Sequence, residues 1–241
     1  MNNMNSRRGQ QGFTIIELMI ATMIFSVILL VVTSGILQFN KQFYKGVVAS
    51  STQGAARTLI DDLTRAIQFN GGTFSPLPVL TGNPQSGGYC VGSGKRYSFQ
   101  LNRQVKDKTP LSVDHQGYHG LVSDTVTGCN TSTSPYDVAN APADLTTVSP
   151  ALSNPRELLG QHMRLAKFDI EQNVDLYTIT IRVVYGDDDV LCSPSTPNDC
   201  NTPTSTAGVD NNMPDLTCRG SIGSSYCAVS ELTTTVMKRV N

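Results

Sequence analysis

The stretch that decides the fold is residues 12–37, GFTIIELMIATMIFSVILLVVTSGIL. From Phe13 to Leu37 the only ionisable side chain is that of Glu17. A helix of this length, at about 1.5 Å per residue, would be roughly 37 Å long, and the hydrocarbon core of a bilayer is about 30 Å thick. Residues 38–41, Gln-Phe-Asn-Lys, follow the run, whereas a secretory signal peptide would end in a small-residue cleavage site. We therefore predict a transmembrane helix rather than a signal peptide.

The start of this stretch, Gly12-Phe13-Thr14-Ile15-Ile16-Glu17-Leu18, follows a short leader with two arginines and no acidic residue. It resembles the processing site of type IV prepilins and type II secretion pseudopilins. In that family the basic leader ends in glycine, the mature chain begins with phenylalanine, and glutamate is the fifth mature residue; Gly12, Phe13 and Glu17 match these positions. The resemblance implies cleavage after Gly12 by the membrane prepilin peptidase, N-methylation of Phe13, and extraction of the helix from the membrane into a filament.

Glu17 is costly near one end of an otherwise apolar membrane helix and needs a partner. One interpretation is an acidic side chain that reaches back to the membrane interface. The other pairs the carboxylate with the ammonium group of Phe13 of a neighbouring subunit, which cleavage would free. Because an unpaired charge in an apolar helix bundle is strongly penalised, this pairing would set the axial register of subunits in a filament. We favour the second interpretation because the context of Gly12 also matches.

Size and charge narrow the class of protein. The chain has 241 residues, and removal of the predicted leader leaves 229. After a long helix, on the order of 170 residues can bury a core of their own, which by the family resemblance favours a minor rather than a major pilin. The mature chain would carry 16 basic and 19 acidic side chains, a formal balance of −3. This balance gives no electrostatic reason to expect nucleic-acid binding.

Six cysteines follow the apolar stretch. None lies in a C-x-x-C pair, so zinc-ribbon and thioredoxin sites lack their spacing. An even number behind a membrane-targeting segment indicates disulfides and a C-terminal head outside the cytoplasm. Several connectivities are open, and we predict the two local pairs Cys192–Cys200 and Cys218–Cys227, which leaves Cys90–Cys129. Free buried thiols in a reduced protein are the alternative.

The predicted organisation has four parts: a leader over 1–12, a transmembrane or filament-core helix over 13–37, an amphipathic continuation of the helix over 38–70, and a disulfide-linked β-rich head over 71–241. The continuation carries an apolar stripe at three- and four-residue spacing. Its members are Ala55, Leu59, Leu63, Ala66 and Ile67.

Strand patterns concentrate in the second half of the head. Alternation of apolar and polar residues predicts strands over 96–105 and over 232–240. It also predicts a hairpin of Lys167–Glu171 and Tyr177–Tyr185 with its turn at Gln172-Asn173. Residues 71–94 are rich in glycine and proline and are expected to form a loop with at most one short strand.

These elements predict an α+β fold, in which a long N-terminal helix packs its second half on an antiparallel sheet. By resemblance this is the ladle-shaped pilin fold. The size of the head, its strand-rich second half and the sequence from Glu17 to Ser26 are most similar to the large J-type pseudopilins and W-type minor pilins.

Three adjacent carboxylates, Asp187, Asp188 and Asp189, follow the strongest predicted strand. Calcium prefers oxygen-rich loops, and Asp210 and Asp215 could contribute, but the spacing of an EF-hand is absent. An acidic turn that is merely solvated is the alternative, and no other cofactor is expected.

Other candidate sites are weaker. Asp114, His115 and His119 could offer ligands to a metal, but nearby glycines argue against the helix that would bring the histidines together. Residues 92–95, Gly-Ser-Gly-Lys, fail the phosphate-loop pattern because Tyr89 and Arg96 stand where it needs glycine and serine or threonine. We find no nucleophile elbow and expect no enzymatic function.

The sequence therefore predicts a minor pilin or pseudopilin, inserted in the bacterial cytoplasmic membrane and assembled into, or at the tip of, a type IV pilus or a secretion or competence pseudopilus. The resemblance implies other pilin subunits, the prepilin peptidase and the inner-membrane assembly platform as partners. Two alternatives stay open. One is a binding or enzymatic ectodomain on an uncleaved helix, and the other is an adhesin or DNA-uptake subunit on the same scaffold.

Overall fold

A computed structural model describes residues 13–69, 74–81, 85–92, 94–105, 119–142, 144–145, 152–192, 216–219 and 224–238. The chain divides into two compact units, Met1–Phe43 and Tyr44–Asn241. A single α-helix, α1, covers Ile15–Phe69 and so contributes to both.

The described part of the first unit is an apolar helix with every side chain exposed. Helix α1 is long and apolar enough to cross a membrane, with a mean hydropathy of 2.8 in its most apolar window. Three hydroxyl groups of this segment donate within the helix: Thr22 to the carbonyl of Met19 at 3.0 Å, Ser26 to that of Thr22 at 2.8 Å, and Ser34 to that of Val31 at 2.9 Å. Because these hydroxyls need no water, they are compatible with an apolar environment.

In the second unit, one face of α1 is buried against the sheets. The buried residues are Val48, Thr52, Ala56, Leu59, Leu63, Ala66 and Ile67. The predicted stripe is confirmed from Leu59 onward, but Ala56 is buried in place of Ala55, which is only half-buried. Thr52 can face the core because its hydroxyl donates to the carbonyl of Val48 at 2.8 Å. A stripe counted from apolar residues alone missed this threonine.

Ten strands lie in the described residues, and all pairings between them are antiparallel. Five form a sheet in the order β1-β2-β3-β4-β5: Phe74–Leu77, Ser86–Val91, Lys95–Gln100, Leu121–Thr125 and Ser153–Glu157. Three form a sheet in the order β10-β7-β6, where β6 is Met163–Asn173, β7 is Leu176–Tyr185 and β10 is Ala228–Met237. The short β8 (Leu191–Cys192) and β9 (Thr217–Cys218) pair with each other. The α+β fold predicted from the sequence is thus confirmed.

The main core joins α1 to both larger sheets. Leu59 and Leu63 of the helix share one buried cluster with Tyr97 of β3 and with Ile179 and Ile181 of β7. An aromatic group lies beside them, in which the rings of Phe74, Tyr89, Phe99, Phe168 and Tyr177 make successive contacts. The helix therefore holds the two sheets in one hydrophobic core.

The prediction for residues 71–94 is wrong, because two strands, β1 and β2, occupy most of the described part of this segment. Gly87 and Gly88 looked like loop residues, but each lies in β2 where a side chain has no room. A Cβ at Gly87 would lie 2.6 Å from Cζ of Phe99, and one at Gly88 would lie 2.7 Å from the carbonyl oxygen of Tyr97. Packing, rather than local flexibility, selects glycine here.

The predicted hairpin is confirmed, but its turn is Val174-Asp175 and not Gln172-Asn173, which lie within β6. The final strand begins at Ala228, before the predicted start at Leu232. The predicted end of α1 at Asn70 falls outside the described residues, and Phe69 is the last described helical residue.

Disulfides join Cys90 to Cys129 and Cys218 to Cys227, the same pairs that the sequence predicts. The first links β2 to the segment after β4, with both cysteines buried. Cys192 is also disulfide-bonded, and its predicted partner, Cys200, lies outside the described residues.

Candidate functional site

The N-terminus of α1 is closed by Thr14 and Glu17. The backbone N–H of Thr14 donates to Oε2 of Glu17 at 2.9 Å, and the Thr14 hydroxyl donates to the same oxygen at 2.8 Å. In return, the backbone N–H of Glu17 lies 3.3 Å from Oγ1 of Thr14. This reciprocal arrangement is a capping box, which satisfies N–H groups that a helix start otherwise leaves without partners.

The capping box was missed by the sequence analysis, although its signal, threonine followed three residues later by glutamate, was present. Neither interpretation of Glu17 considered a partner within its own chain. Both hydrogen bonds from Thr14 end on Oε2. Among the described residues no hydrogen bond reaches Oε1, so this oxygen remains accessible to a donor from outside the chain.

Phe13, the predicted first mature residue, is 85% exposed directly before the capping box. The predicted cleavage partner Gly12 lies outside the described residues. The exposed apolar surface continues along the helix through Leu37 and includes Phe39 and Phe43, whose rings stack with centroids 6.3 Å apart. An uncovered helix this apolar requires a membrane or other helices around it.

Residues 7–33 match the family model described as "Prokaryotic N-terminal methylation motif". This match indicates a type IV pilin-like protein and a substrate of the prepilin peptidase. Together with the apolar helix near the N-terminus, it fits a single-pass protein anchored in a membrane and assembled with other pilins. No curated protein and no solved structure matches the chain.

The acidic turn after β7 contacts polar and basic side chains from other segments of the head. Asp187 lies 3.0 Å from Nδ1 of His162 and accepts a short hydrogen bond from Gln104. Arg164, nearly buried, donates to Oδ1 of Asp188 at 2.8 Å. Partial burial alone would raise the pKa of Asp187. The hydrogen bonds from His162 and Gln104, with the positive charges of His162 and Arg164, outweigh that effect and lower the pKa.

This geometry does not support the calcium site predicted at Asp187, Asp188 and Asp189. Asp187 contacts His162 and Asp188 contacts Arg164, so each of these two carboxylates already has a protein partner. Within the described part of the chain, no group of three histidine, cysteine or acidic residues is arranged to hold a metal. The other two predicted contributors, Asp210 and Asp215, lie outside the described residues. Contacts with His162 and Arg164 account for Asp187 and Asp188 without a metal.

His119 is a buried structural histidine. Its Nε2 lies 3.0 Å from the carbonyl oxygen of Pro142, and its Nδ1 lies 3.2 Å from Oε2 of Glu157. Both ring nitrogens therefore have protein partners, and neither points to a free ligand position. Asp114 and His115, considered with it as metal ligands, fall outside the described residues.

Proposed function

We propose that this chain is a minor pilin or pseudopilin. In this account the prepilin peptidase cleaves after Gly12, the new N-terminus at Phe13 is methylated, and the inner-membrane assembly platform moves the apolar helix from the membrane into a filament. The filament is a type IV pilus or a type II secretion or competence pseudopilus. The role is structural rather than catalytic.

The observation that carries the proposal is the combination of the N-terminal methylation motif with the exposed apolar part of α1 up to Leu37, in which Glu17 is the only ionisable residue. A membrane anchor alone explains the apolar helix, and the capping box explains one oxygen of Glu17, Oε2. In a filament, Oε1 of Glu17 can accept a hydrogen bond from the N-terminal ammonium group of Phe13 in a neighbouring subunit, while Oε2 remains bonded to Thr14 in the capping box.

The size of the head favours a minor subunit, similar to the large J-type pseudopilins or W-type minor pilins, that sits at the filament tip and aids the start of assembly. Its disulfides favour a head that faces the periplasm or the cell surface. The charge balance gives no electrostatic reason to expect nucleic-acid binding.

Mass spectrometry of the N-terminal peptide tests the proposal, using membrane-extracted protein made with and without prepilin peptidase. We expect a peptide that starts at N-methylated Phe13 only when the peptidase is present. An intact leader in both samples would contradict the proposal and would indicate an ectodomain anchored by an uncleaved helix.

A matched pair of variants tests the role of Glu17. We expect Glu17→Gln to be cleaved normally but to be depleted at least tenfold from filaments, because the neutral amide cannot pair with an ammonium group. Asp61→Asn, which removes an exposed charge elsewhere on α1, should leave both processing and incorporation unchanged. Equal depletion of the two variants would contradict the proposed role.

A further inference from the structure

Strand β10 forms one edge of the three-stranded sheet, and among the described strands this edge is open. It pairs with β7 in an unbroken antiparallel register from Ala228 to Met237, and no described strand pairs with its other side. Just beyond it, the N–H of Lys238 donates to the carbonyl of Asp175 at 2.9 Å. Since hydrogen-bonded positions alternate along an antiparallel pair, even-numbered residues of β10 face β7 and odd-numbered residues direct their N–H and C=O groups outward. The outward-facing residues are Val229, Glu231, Thr233, Thr235 and Met237.

Both edges of the five-stranded sheet carry features that discourage pairing with another chain. Strand β1 has only four residues and contains Pro76. Strand β5 contains Pro155, and its register with β4 shifts between Ser123 and Thr125. Short strands, prolines and irregular register are common ways of protecting a sheet edge.

The opposite edge of the three-stranded sheet is protected in a different way. The backbone N–H groups of Asn102 and Val105 donate to β6 at 2.8 and 2.9 Å, so part of this edge is already occupied. The register of β6 with β7 also shifts between Leu165 and Lys167. In the rest of β6, charged residues alternate with apolar ones, and these charges oppose the approach of another strand. The charged residues are Lys167, Asp169 and Glu171.

Within the described part of the chain, strand β10 has none of these protections. It is ten residues long and rich in threonine and valine, without proline or a shift in register. Its single charged residue, Glu231, lies 3.4 Å from Arg182 on β7 and is thereby partly neutralised. From Glu231 to Met237 the side chains of the outward-facing residues are exposed. Such an edge is a template for strand addition.

We propose that β10 is the docking edge for an extended segment of a neighbouring pilin-like subunit, which adds to the sheet as a further strand. The inference rests on the proposed function, because that function supplies the neighbouring subunits. Pairing of β10 with β10 of a second copy would be a closed two-fold contact, and such a contact cannot extend a filament in which all subunits point the same way.

The side chains of β10 define the chemistry of the added strand. Leu232 is half-buried at the margin of the main core, so an apolar side chain beside it would complete its burial. On the other face, Glu231, Thr233 and Thr235 are exposed and favour a polar or basic neighbour. The partner segment is therefore an extended run of alternating apolar and polar residues, with a lysine or arginine near Glu231.

Photo-crosslinking in cells with the native filament system tests the inference. A photoreactive amino acid is placed in the full chain at Thr235 or, as the control, at Glu171. Both positions pair with Thr178, so they lie in one row across the sheet, at opposite edges. We expect at least a fivefold higher yield of product from Thr235, with a different pilin-like subunit identified in it by mass spectrometry.

A second pair of variants tests the backbone contact itself. Thr233→Pro removes an N–H that points away from β7, whereas Thr233→Ala keeps it. We expect the proline to lower the yield from Thr235 at least fivefold and the alanine to leave it unchanged.

Equal yields from Thr235 and Glu171, or a product that contains only a second copy of this chain, would overturn the inference. The comparison of these two positions needs no destabilising substitution, so it holds even if the proline variant folds poorly. Leader removal is measured in the same samples. A processed chain without the product contradicts the docking edge alone, whereas an intact leader contradicts the proposed function.

Discussion

The hydroxyl of Tyr97 donates a hydrogen bond to Oδ2 of Asp62 at 2.8 Å, which ties helix α1 to the five-stranded sheet through a fully buried tyrosine. Lys95 donates to the same carboxylate at 2.7 Å and lies 5.0 Å from the centre of the Tyr97 ring. Burial, followed by the negative charge of Asp62, raises the pKa of Tyr97, so the phenol remains protonated and acts as the donor. One carboxylate thus anchors both a buried and a half-exposed donor.

Replacement of Asp62 with alanine should destabilise the head. It leaves the buried Tyr97 hydroxyl without its acceptor, and such a loss costs about 1–3 kcal/mol in the free energy of unfolding. Asp61→Ala is the matched control, because Asp61 is exposed on the preceding position and should change stability by less than about 0.5 kcal/mol. Urea unfolding of the detergent-solubilised chain, followed by circular dichroism, measures both. A similar change in the two variants would show that the Tyr97 contact contributes little.

Substitution of Val174 should stabilise the folded chain. It has a φ of 56° in the two-residue turn between β6 and β7, a backbone conformation that is unfavourable for a β-branched residue. Asparagine tolerates this conformation and is favoured in such turns, so we expect Val174→Asn to raise the free energy of unfolding by about 1 kcal/mol. Val79→Asn, at another exposed valine, is the control and should give no such gain. A loss of stability at Val174 would mean that its exposed side chain matters more than its backbone.

The sequence predicted the elements whose patterns are long and local. The apolar run of α1 and the alternation of β7 each extend far enough to identify the element without knowledge of its neighbours. The motif at Gly12, Phe13 and Glu17 predicted a pilin-like chain because it is a contiguous segment that needs no knowledge of the fold, and residues 7–33 match the N-terminal methylation model. The disulfide Cys218–Cys227 could also be predicted, because its two cysteines lie close together in the sequence.

What the sequence could not predict depends on contacts between distant segments. Gly87 belongs to a strand because the ring of Phe99 occupies the place of its side chain. The contact of Asp62 could not be predicted because its partner Tyr97 lies on another element. The acidic turn suggested a metal because the positions of His162 and Arg164 were unknown. In each case the deciding atom comes from a residue far along the chain.

The contact between Asp187 and His162 should contribute to the free energy of unfolding at pH values where Asp187 is ionised. Since its pKa in the folded chain lies below that of a free aspartate, the ionised form stabilises the fold above the ordinary value of about 3.9. This contribution is lost as the pH falls through the folded-state pKa. Asp187→Asn should therefore lower stability at about pH 6 and have less effect at about pH 3.

The expected difference is at most about 1 kcal/mol, because the Asp187 side chain is 62% exposed and solvent screens the pair. Urea midpoints of the parent chain and the variant at the two pH values measure it. Asp189→Asn, which removes an exposed carboxylate from the same turn, serves as the control. A difference for Asp187→Asn that is constant with pH would exclude the ion pair as its cause.

The two described disulfides should differ in their contributions to stability. Cys90–Cys129 closes a sequence separation of 39 residues, and Cys218–Cys227 closes one of 9. Loop-closure entropy predicts a loss of about 4 kcal/mol when the first pair is replaced by alanines and about 3 kcal/mol for the second. Thermal unfolding of each double variant, made in an oxidising compartment, provides the comparison. The reverse order would indicate that local packing, rather than loop length, dominates.

The most direct test of the central claim is targeted mass spectrometry of filaments purified from cells that carry the native assembly system. The claim is that this chain leaves the membrane and becomes a filament subunit. We expect the peptide that starts at N-methylated Phe13 in the filament fraction, and its loss from that fraction when the prepilin peptidase is absent. Recovery of the chain only in the membrane fraction, with residues 1–12 still attached, would contradict the claim.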